Sequence, residues 1–371
     1  VAASYLYFDW NATAPPLPEA IDAVRDSAMT CWGNPSSVHG PGREARAIVE
    51  RLQQTLGQTV AVDPRDVLLT SGATEANNTA LRSAQALVTS RLEHPSVVRV
   101  AECLAAKGAA VIWLDVPQDG RLAVSAVRSA LGKLAEGAVV AVSAVNHETG
   151  VIQPVPEIAE VARLAGARLH VDAAQALGKL PAQLWGSADS IAVASHKIRG
   201  PKGIGALLWR GPPPVPLLLG GAQQRGLRAG TLDAANAAGF DVALRHAANG
   251  GVGRYAALGP LRDLIERAVV GLCEVNGSSE HRVAHVTSLS ANGWRSDELV
   301  AALDLAGIRV SSGSACSAGS VQPSPVVEAM LGPARAASTI RVSLGELTTR
   351  AEVDEAIPVL LRVLRRQVAG G

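Results

Sequence analysis

An acid and a lysine carry the strongest chemical signal in this chain of 371 residues. Asp172 stands in His170-Val171-Asp172-Ala173-Ala174-Gln175, and Lys197 in Ser195-His196-Lys197-Ile198-Arg199-Gly200. Each follows a short apolar run, Ala167 to Val171 and Ile191 to Ala194, that stops at a polar residue. Strands of an α/β sheet deliver side chains to the sheet's C-terminal edge in this way, and such folds keep their sites there. A carboxylate on one strand end and an amine on a neighbouring one suit pyridoxal phosphate. The amine can condense with the aldehyde. The carboxylate can hold the ring nitrogen protonated, so that the ring withdraws electrons.

Four further features bear on that chemistry. Thr70-Ser71-Gly72-Ala73-Thr74-Glu75-Ala76-Asn77 follows the apolar Val67–Leu69 run and opens a helical pattern. Free N–H groups at a helix start make a phosphate cup, although a Ser/Thr cap explains the same residues. No Gly-Lys-Ser/Thr ends this loop and no GxGxxG follows the first strand, so nucleotide and dinucleotide loops are excluded. His94 falls just after another strand candidate, where an imidazole can stack on a flat ring and shuttle protons; a lone histidine is also commonly structural. Cys316 lies in Ser311-Ser312-Gly313-Ser314-Ala315-Cys316-Ser317-Ala318-Gly319-Ser320, a run of small residues suited to movement. Arg341, in Thr339-Ile340-Arg341-Val342-Ser343, is either a paired donor to a substrate carboxylate or an exposed strand residue.

The elements that must position these groups read as α/β. Strand candidates are Val67–Thr70, Ala86–Ser90, Ala109–Leu114, Val139–Val145, Arg168–Asp172, Ser190–Ala194 and Gly205–Trp209, with helical patterns between them over Pro95–Lys107 and Glu157–Ala165. This alternation predicts a large domain over 16–250 with a mostly parallel, seven-stranded sheet covered on both faces. A helix over about Asp233 to Ala248 ends at Asn249-Gly250-Gly251-Val252-Gly253, the expected boundary. Residues 1–15 and 251–371 then form a smaller C-terminal α/β domain carrying the Cys316 loop. It comprises a helix (Arg254 to Cys273), strands (Val283–Leu289, Ile308–Ser311, Thr339–Leu344), a helix (Ser296–Ala306) and a final helix capped by Thr349 and Glu352.

Composition narrows the class. Lys and Arg number 34 against 33 Asp and Glu, so no footprint for nucleic acid or an anionic membrane is present. No apolar run reaches the roughly 18 residues of a spanning helix. No leader pattern is visible at the start, and a cytoplasmic protein is expected. Cys31, Cys103, Cys273 and Cys316 are widely spaced, with no zinc spacing, so no metal is expected and the thiols read as reduced. Cys103 and Cys273 are expected in the core.

With these residues assembled, the chain resembles the cysteine desulfurases among fold-type I, class-V-aminotransferase-like pyridoxal phosphate enzymes, in the group with a Ser-Ser-Gly-Ser-Ala-Cys loop. The match runs through Tyr7-Phe8-Asp9-Trp10-Asn11-Ala12-Thr13-Ala14-Pro15, Gly33-Asn34-Pro35-Ser36-Ser37, Ser71-Gly72-Ala73-Thr74-Glu75 and Glu93-His94. It continues through His170-Val171-Asp172, Ser195-His196-Lys197, Arg225-Gly226-Leu227-Arg228-Ala229-Gly230-Thr231, Cys316 and Ile340-Arg341. The resemblance implies that Lys197 binds the cofactor and moves the Cα proton, Asp172 pairs with the ring nitrogen, Gln175 bonds the ring hydroxyl and His94 stacks. Ala73, Thr74 and His196 would hold the phosphate, joined by Thr231 from the partner of a homodimer, while Asn34 and Arg341 bind the carboxylate of L-cysteine. Cys316 would take the sulfur as a persulfide, releasing alanine, and pass it to an acceptor protein for iron–sulfur cluster assembly or thiolation. A selenocysteine or cystine lyase, a transaminase or an epimerase on the same fold is the alternative, and needs no thiol acceptor.

The chain departs from the family pattern in three places. His147 follows Asn146 where a second asparagine is usual; both are assigned to the cofactor, and an imidazole there is expected to titrate between about pH 5 and 8 and to couple to the ring. The other possibility is a His147 turned away while Asn146 faces the ring. Ala194 stands where a phosphate-binding serine is usual, with Ser195 as substitute. The chain also stops soon after its last helix, without the tail some relatives use to dock an iron–sulfur scaffold.

Overall fold

The structure, a computed structural model, describes residues 5–313 and 323–366. In chain order the strands are β1 (Leu6–Tyr7), β2 (Val67–Thr70), β3 (Ala86–Ser90), β4 (Ala110–Leu114), β5 (Val139–Ser143), β6 (Arg168–Asp172), β7 (Ser190–Ala194), β8 (Gly205–Trp209), β9 (Cys273–Asn276), β10 (Val286–Ala291), β11 (Ile308–Arg309) and β12 (Thr339–Ser343). Strands β2 to β8 form one seven-stranded sheet in the order β2-β8-β7-β6-β5-β3-β4. Only β8 runs against its neighbours, β2 and β7.

Alternation along these strands splits the core between two faces. Val88, Val140, Ala206 and Leu208 pack on the face covered by the helices Gly40–Val60, Val155–Leu164 and Ala234–Ala248. Their neighbours Leu87, Val139, Ala141 and Leu207 point the other way, under Ala73–Leu81 and Pro95–Ala106. A second core collects Leu6, Phe8, Leu289, Leu299, Ile340 and Leu360 around the antiparallel β9-β10-β12 sheet and the parallel β1-β11 pair. Val283, Val286, Val326 and Met330, late in the chain, cross over to the larger core. Among the described residues no helix is long and apolar enough to cross a membrane.

Some expectations are corrected. The helix read over Arg254 to Cys273 is two helices, Gly251–Ala256 and Gly259–Ala268, and Cys273 opens β9. Pro260 lacks an N–H and so begins a helix rather than continuing one. The strand after Val139 ends at Ser143, with Val145 bridging to Ile152 instead. Cys103 is exposed and Cys273 only half-buried. Val97, Ala101 and Leu104 form the buried face of helix Pro95–Ala106, and Cys103 falls on the other side. The helices Pro18–Thr30 and Gly40–Val60 were not legible, whereas the Thr349–Glu352 capping box is present.

The N-terminal segment ties the two cores together. The Phe8 carbonyl accepts from Ser343 N at 2.8 Å, and Ala14 N and Leu17 N donate to the carbonyls of His196 (3.1 Å) and Arg199 (2.8 Å). Buried Trp10 packs so closely on Gly345 that a Cβ there would lie 1.8 Å from the indole. Gly345→Ala is therefore expected to cost about 3 kcal/mol by overpacking, read as a lowered denaturant midpoint with unchanged m-value. An unshifted midpoint would show that Trp10 can vacate its seat freely.

Candidate active site

The strand ends converge on a cavity of about 560 Å³. Neighbouring parallel strands β6 and β7 bring Asp172 and the turn with Lys197 to its wall. Ala73, Thr74, His94, His147, Gln175, His196 and Arg341 line the same space. Asn146, Ser195, Asn34 and Thr231 do not appear in that wall. Cys316 lies outside the described residues, but Gly313 and Pro325, on either side of its segment, both line the cavity.

Asp172 is held by two donors. Asn77 Nδ2 reaches Oδ2 at 2.7 Å and Ala174 N reaches Oδ1 at 3.0 Å. Asn77 Oδ1 meets His170 Nε2 at 2.9 Å, and His170 Nδ1 meets Ser190 Oγ at 2.8 Å. Burial pulls the His170 pKa down to about 4, although the Asp172 charge opposes the shift. Asn77 was not legible as a site residue. It lies one turn into the helix that begins at Ala73, so the helix start that forms the cup also supplies the donor that aims the carboxylate.

At the cup, Ser71 N donates to Glu75 Oε2 at 2.8 Å, and Glu75 pairs with Arg228 at 3.0 Å. Antiparallel β8 begins beside it. A Cβ on Gly205 would fall 2.7 Å from Gly72 Cα, so glycine at 205 lets the cup sit against the sheet. His196 Nδ1 lies 3.2 Å from Thr13 Oγ1, and burial, then Lys197, pulls its pKa down to about 3. Lys202 also lines the cavity. Ser195 does not fill the place of the absent hydroxyl at Ala194. Its Oγ is buried without a partner and lies under Gly200, where a Cβ would come within 2.0 Å.

Two histidines meet edge to face, His94 and His147, with ring centroids 5.3 Å apart. Ser96 N donates to His94 Nδ1 at 3.1 Å, so the neutral ring carries its proton on Nε2. Of the two assigned residues, His147 faces the cavity. Asn146 spends its amide on the turn, donating to the Leu92 carbonyl at 2.8 Å and accepting from Glu148 N and Thr149 N. Burial, then His94, Arg341 and Lys197, holds the His147 pKa well below 6.5. This direction runs against the expected titration of His147 near neutral pH.

Arg341 is buried, not an exposed strand residue. It donates to the His147 carbonyl at 3.0 Å and to Asp9 Oδ1 at 2.6 Å, while its Nε has no partner among the described residues. Glu148, pushed up to about 7 by burial, accepts from Ser324 Oγ. A Cβ on Gly313 would lie 2.6 Å from Glu148 Oε2 and 3.4 Å from Ser324 Cβ, so the two posts flanking residues 314–322 stand side by side.

These residues fit pyridoxal phosphate. The cup and its cations match a phosphate, the buried carboxylate a protonated ring nitrogen, and Lys197 Nζ, donating to the Asn11 and Ala12 carbonyls at 2.6 and 3.0 Å, an aldehyde. Asn11 Oδ1, in the same wall, is buried without a partner among the described residues.

The chain is similar to known proteins along nearly its whole length. The family described as Aminotransferase class-V matches residues 6–356. The chain is 40% identical to the cysteine desulfurase of Cereibacter sphaeroides over 370 residues, covering 96% of this chain and 94% of that protein. It is 37% identical to the IscS-like cysteine desulfurase of Mycobacterium tuberculosis, covering 95% of each. Its structure superposes on a NifS-like protein with a TM-score of 0.87 at 28% identity, over 97% and 98% of the two chains.

Two outcomes are expected from the site. His147→Asn leaves the pH titration of the bound cofactor's absorption superimposable on wild type between about pH 6 and 8; a shifted midpoint would show that the ring gains charge there. The cofactor-free protein gains stability as pH rises from about 5 to 6.5. His94, His147, His170, His196 and His285 are all depressed by burial, so below about 6.5 the unfolded chain binds protons that the folded one refuses. The raised carboxyls Glu93 and Glu148 oppose this, but they are two against five. Denaturant midpoints that fall over that window would refute it.

Proposed function

Because the chain belongs to the Aminotransferase class-V family and is a pyridoxal-phosphate-dependent cysteine desulfurase, we propose that its cavity residues divide the work as follows. Lys197 binds the cofactor and moves the proton at the substrate Cα. Asp172 keeps the ring nitrogen protonated, and Thr74 with the N–H groups of the helix start, His196 and Lys202 holds the phosphate. Once bound, pyridoxal phosphate supplies the electron sink that makes the Cα proton acidic. Arg341 binds the substrate carboxylate. His94, neutral and bearing its proton on Nε2, stacks on the ring and carries a proton to or from the substrate sulfur. The observation that carries this reading is the convergence of Asp172, Lys197, the helix start at Ala73 and Arg341 on one cavity.

Cys316 is the sulfur acceptor in this reading. Its thiolate attacks the substrate sulfur, an S–S bond forms as Cβ–S breaks, and L-alanine leaves with a persulfide on Cys316. Three residues of chain span at most about 11 Å, so connectivity keeps this position within reach of Gly313 in the cavity wall. The persulfide then passes to an acceptor protein of an iron–sulfur cluster or thiolation route, in the cytoplasm.

The working unit is a homodimer. Thr231 and Asn34 are both exposed in this chain, away from its own cavity wall. The Glu75–Arg228 pair links the segment carrying Thr231 to the back of the cup, which suits a phosphate contact supplied to a second copy. Met29, Trp32 and Leu219 are exposed on the same chain, as an interface requires.

Incubation with L-cysteine is expected to yield alanine and sulfur, as persulfide or sulfide, in equal amounts. Cys316→Ala is expected to retain the cofactor and its spectral response to cysteine, but to form no persulfide and lose at least about 100-fold in alanine release. Undiminished turnover in that variant would favour the lyase reading. Lys197→Ala is expected to bind the cofactor only reversibly, so that dialysis removes it; retention after dialysis would displace Lys197 from its role.

A further inference from the structure

Gln175 is held from behind by a residue that no part of the reaction requires. Lys179, four residues further on in the turn after β6, is buried at 3% exposure and donates Nζ to Gln175 Oε1 at 2.9 Å. Gln175 Nε2 in turn donates to the Asn11 carbonyl at 2.9 Å, the same oxygen that receives Lys197 Nζ at 2.6 Å. A continuous chain of hydrogen bonds therefore runs from one lysine to the other.

A buried ammonium is costly, and a methionine would fill the same volume without that cost. Among the described residues no ion pair offsets the charge. Burial, then the cationic Lys197 and Arg341, pulls the Lys179 pKa down to about 7, so the ammonium is the form held below that pH. Its remaining company is the Tyr255 ring, 5.3 Å from Nζ, with His285 packed edge-on against that ring at 4.8 Å. The chemistry of the head group supplies a reason for its presence. An ammonium has three donors and no acceptor, so only the carbonyl end of an amide can satisfy it. Reversing the Gln175 carboxamide would set an NH₂ against the ammonium and a carbonyl against the Asn11 carbonyl.

We propose that Lys179 is a positioning residue for the cofactor, locking the Gln175 carboxamide with its NH₂ toward the cavity, so that this site presents a donor to the phenolic oxygen of the ring. The inference rests on the reading of Gln175 as the partner of the ring hydroxyl.

A double-mutant cycle tests it on cofactor-free protein titrated with pyridoxal phosphate, with the pH midpoint of the bound cofactor's absorption as second readout. Gln175→Ala and Lys179→Met are each expected to weaken binding about tenfold and to move the absorption midpoint to higher pH. The double variant is expected to be no weaker than Gln175→Ala alone within about twofold, since Lys179 acts through that amide. If Lys179→Met does not fold, as judged by thermal unfolding, Lys179→Leu, which likewise cannot donate, takes its place with the same non-additivity expected. Equal losses from the Lys179 variant in both backgrounds, or no loss while Gln175→Ala weakens binding, would overturn the proposal. Unchanged affinity in Gln175→Ala would instead overturn the assignment of Gln175, and the inference with it.

Discussion

The aim of one buried carboxylate at a strand end is the constraint on which this site depends. Asp172 can serve a ring nitrogen only while its donors hold it in place. Its donors come from two directions: the amide of Asn77 on the neighbouring helix and the N–H of Ala174 in its own turn. Asn77 is aimed in turn by His170, which burial keeps neutral, and by Ser96 Oγ at 2.8 Å. The Ser96 hydroxyl also meets His94 Nδ1 at 2.8 Å. One hydrogen-bonded web thus orients both the Asp172 carboxylate and the His94 imidazole in the cavity wall, and loosening either would disturb both.

The parallel sheet makes this web possible. It delivers Asp172, Ser143 and the turn after Ala194 to one edge, and the single antiparallel strand β8 starts at that edge with a glycine where the cup must nestle. The short N-terminal segment closes the remaining side. It brings Asn11 between Lys197 and Gln175, and Asp9 to Arg341. The larger core and the smaller one therefore share a wall rather than a linker.

Asp172, Lys197, His94 and Arg341 were legible because each ends or punctuates an apolar run, a local pattern that a strand edge imposes. Asn77, Lys179, Glu148 and Lys202 were not, because their roles arise from contacts between elements and no local spacing marks them. The pair Asn146 and His147 shows the limit most clearly. The residues themselves are visible, but which one faces the ring depends on where β5 stops. That strand ends at Ser143, and Asn146 is consumed by the turn that follows. The helix misread up to Cys273 has a similar cause: apolar periodicity persisted across Pro260, and the backbone did not.

The adjoining posts at Gly313 and Ser324 have an evolutionary consequence. A stretch of chain whose two attachment points lie side by side can be lengthened without moving either post. By loop-closure entropy each doubling of such an insert costs only about 0.6 kcal/mol. The sequence between them can therefore change in length while Glu148 keeps its hydrogen bond to Ser324 and the cavity wall at Gly313 stays as it was.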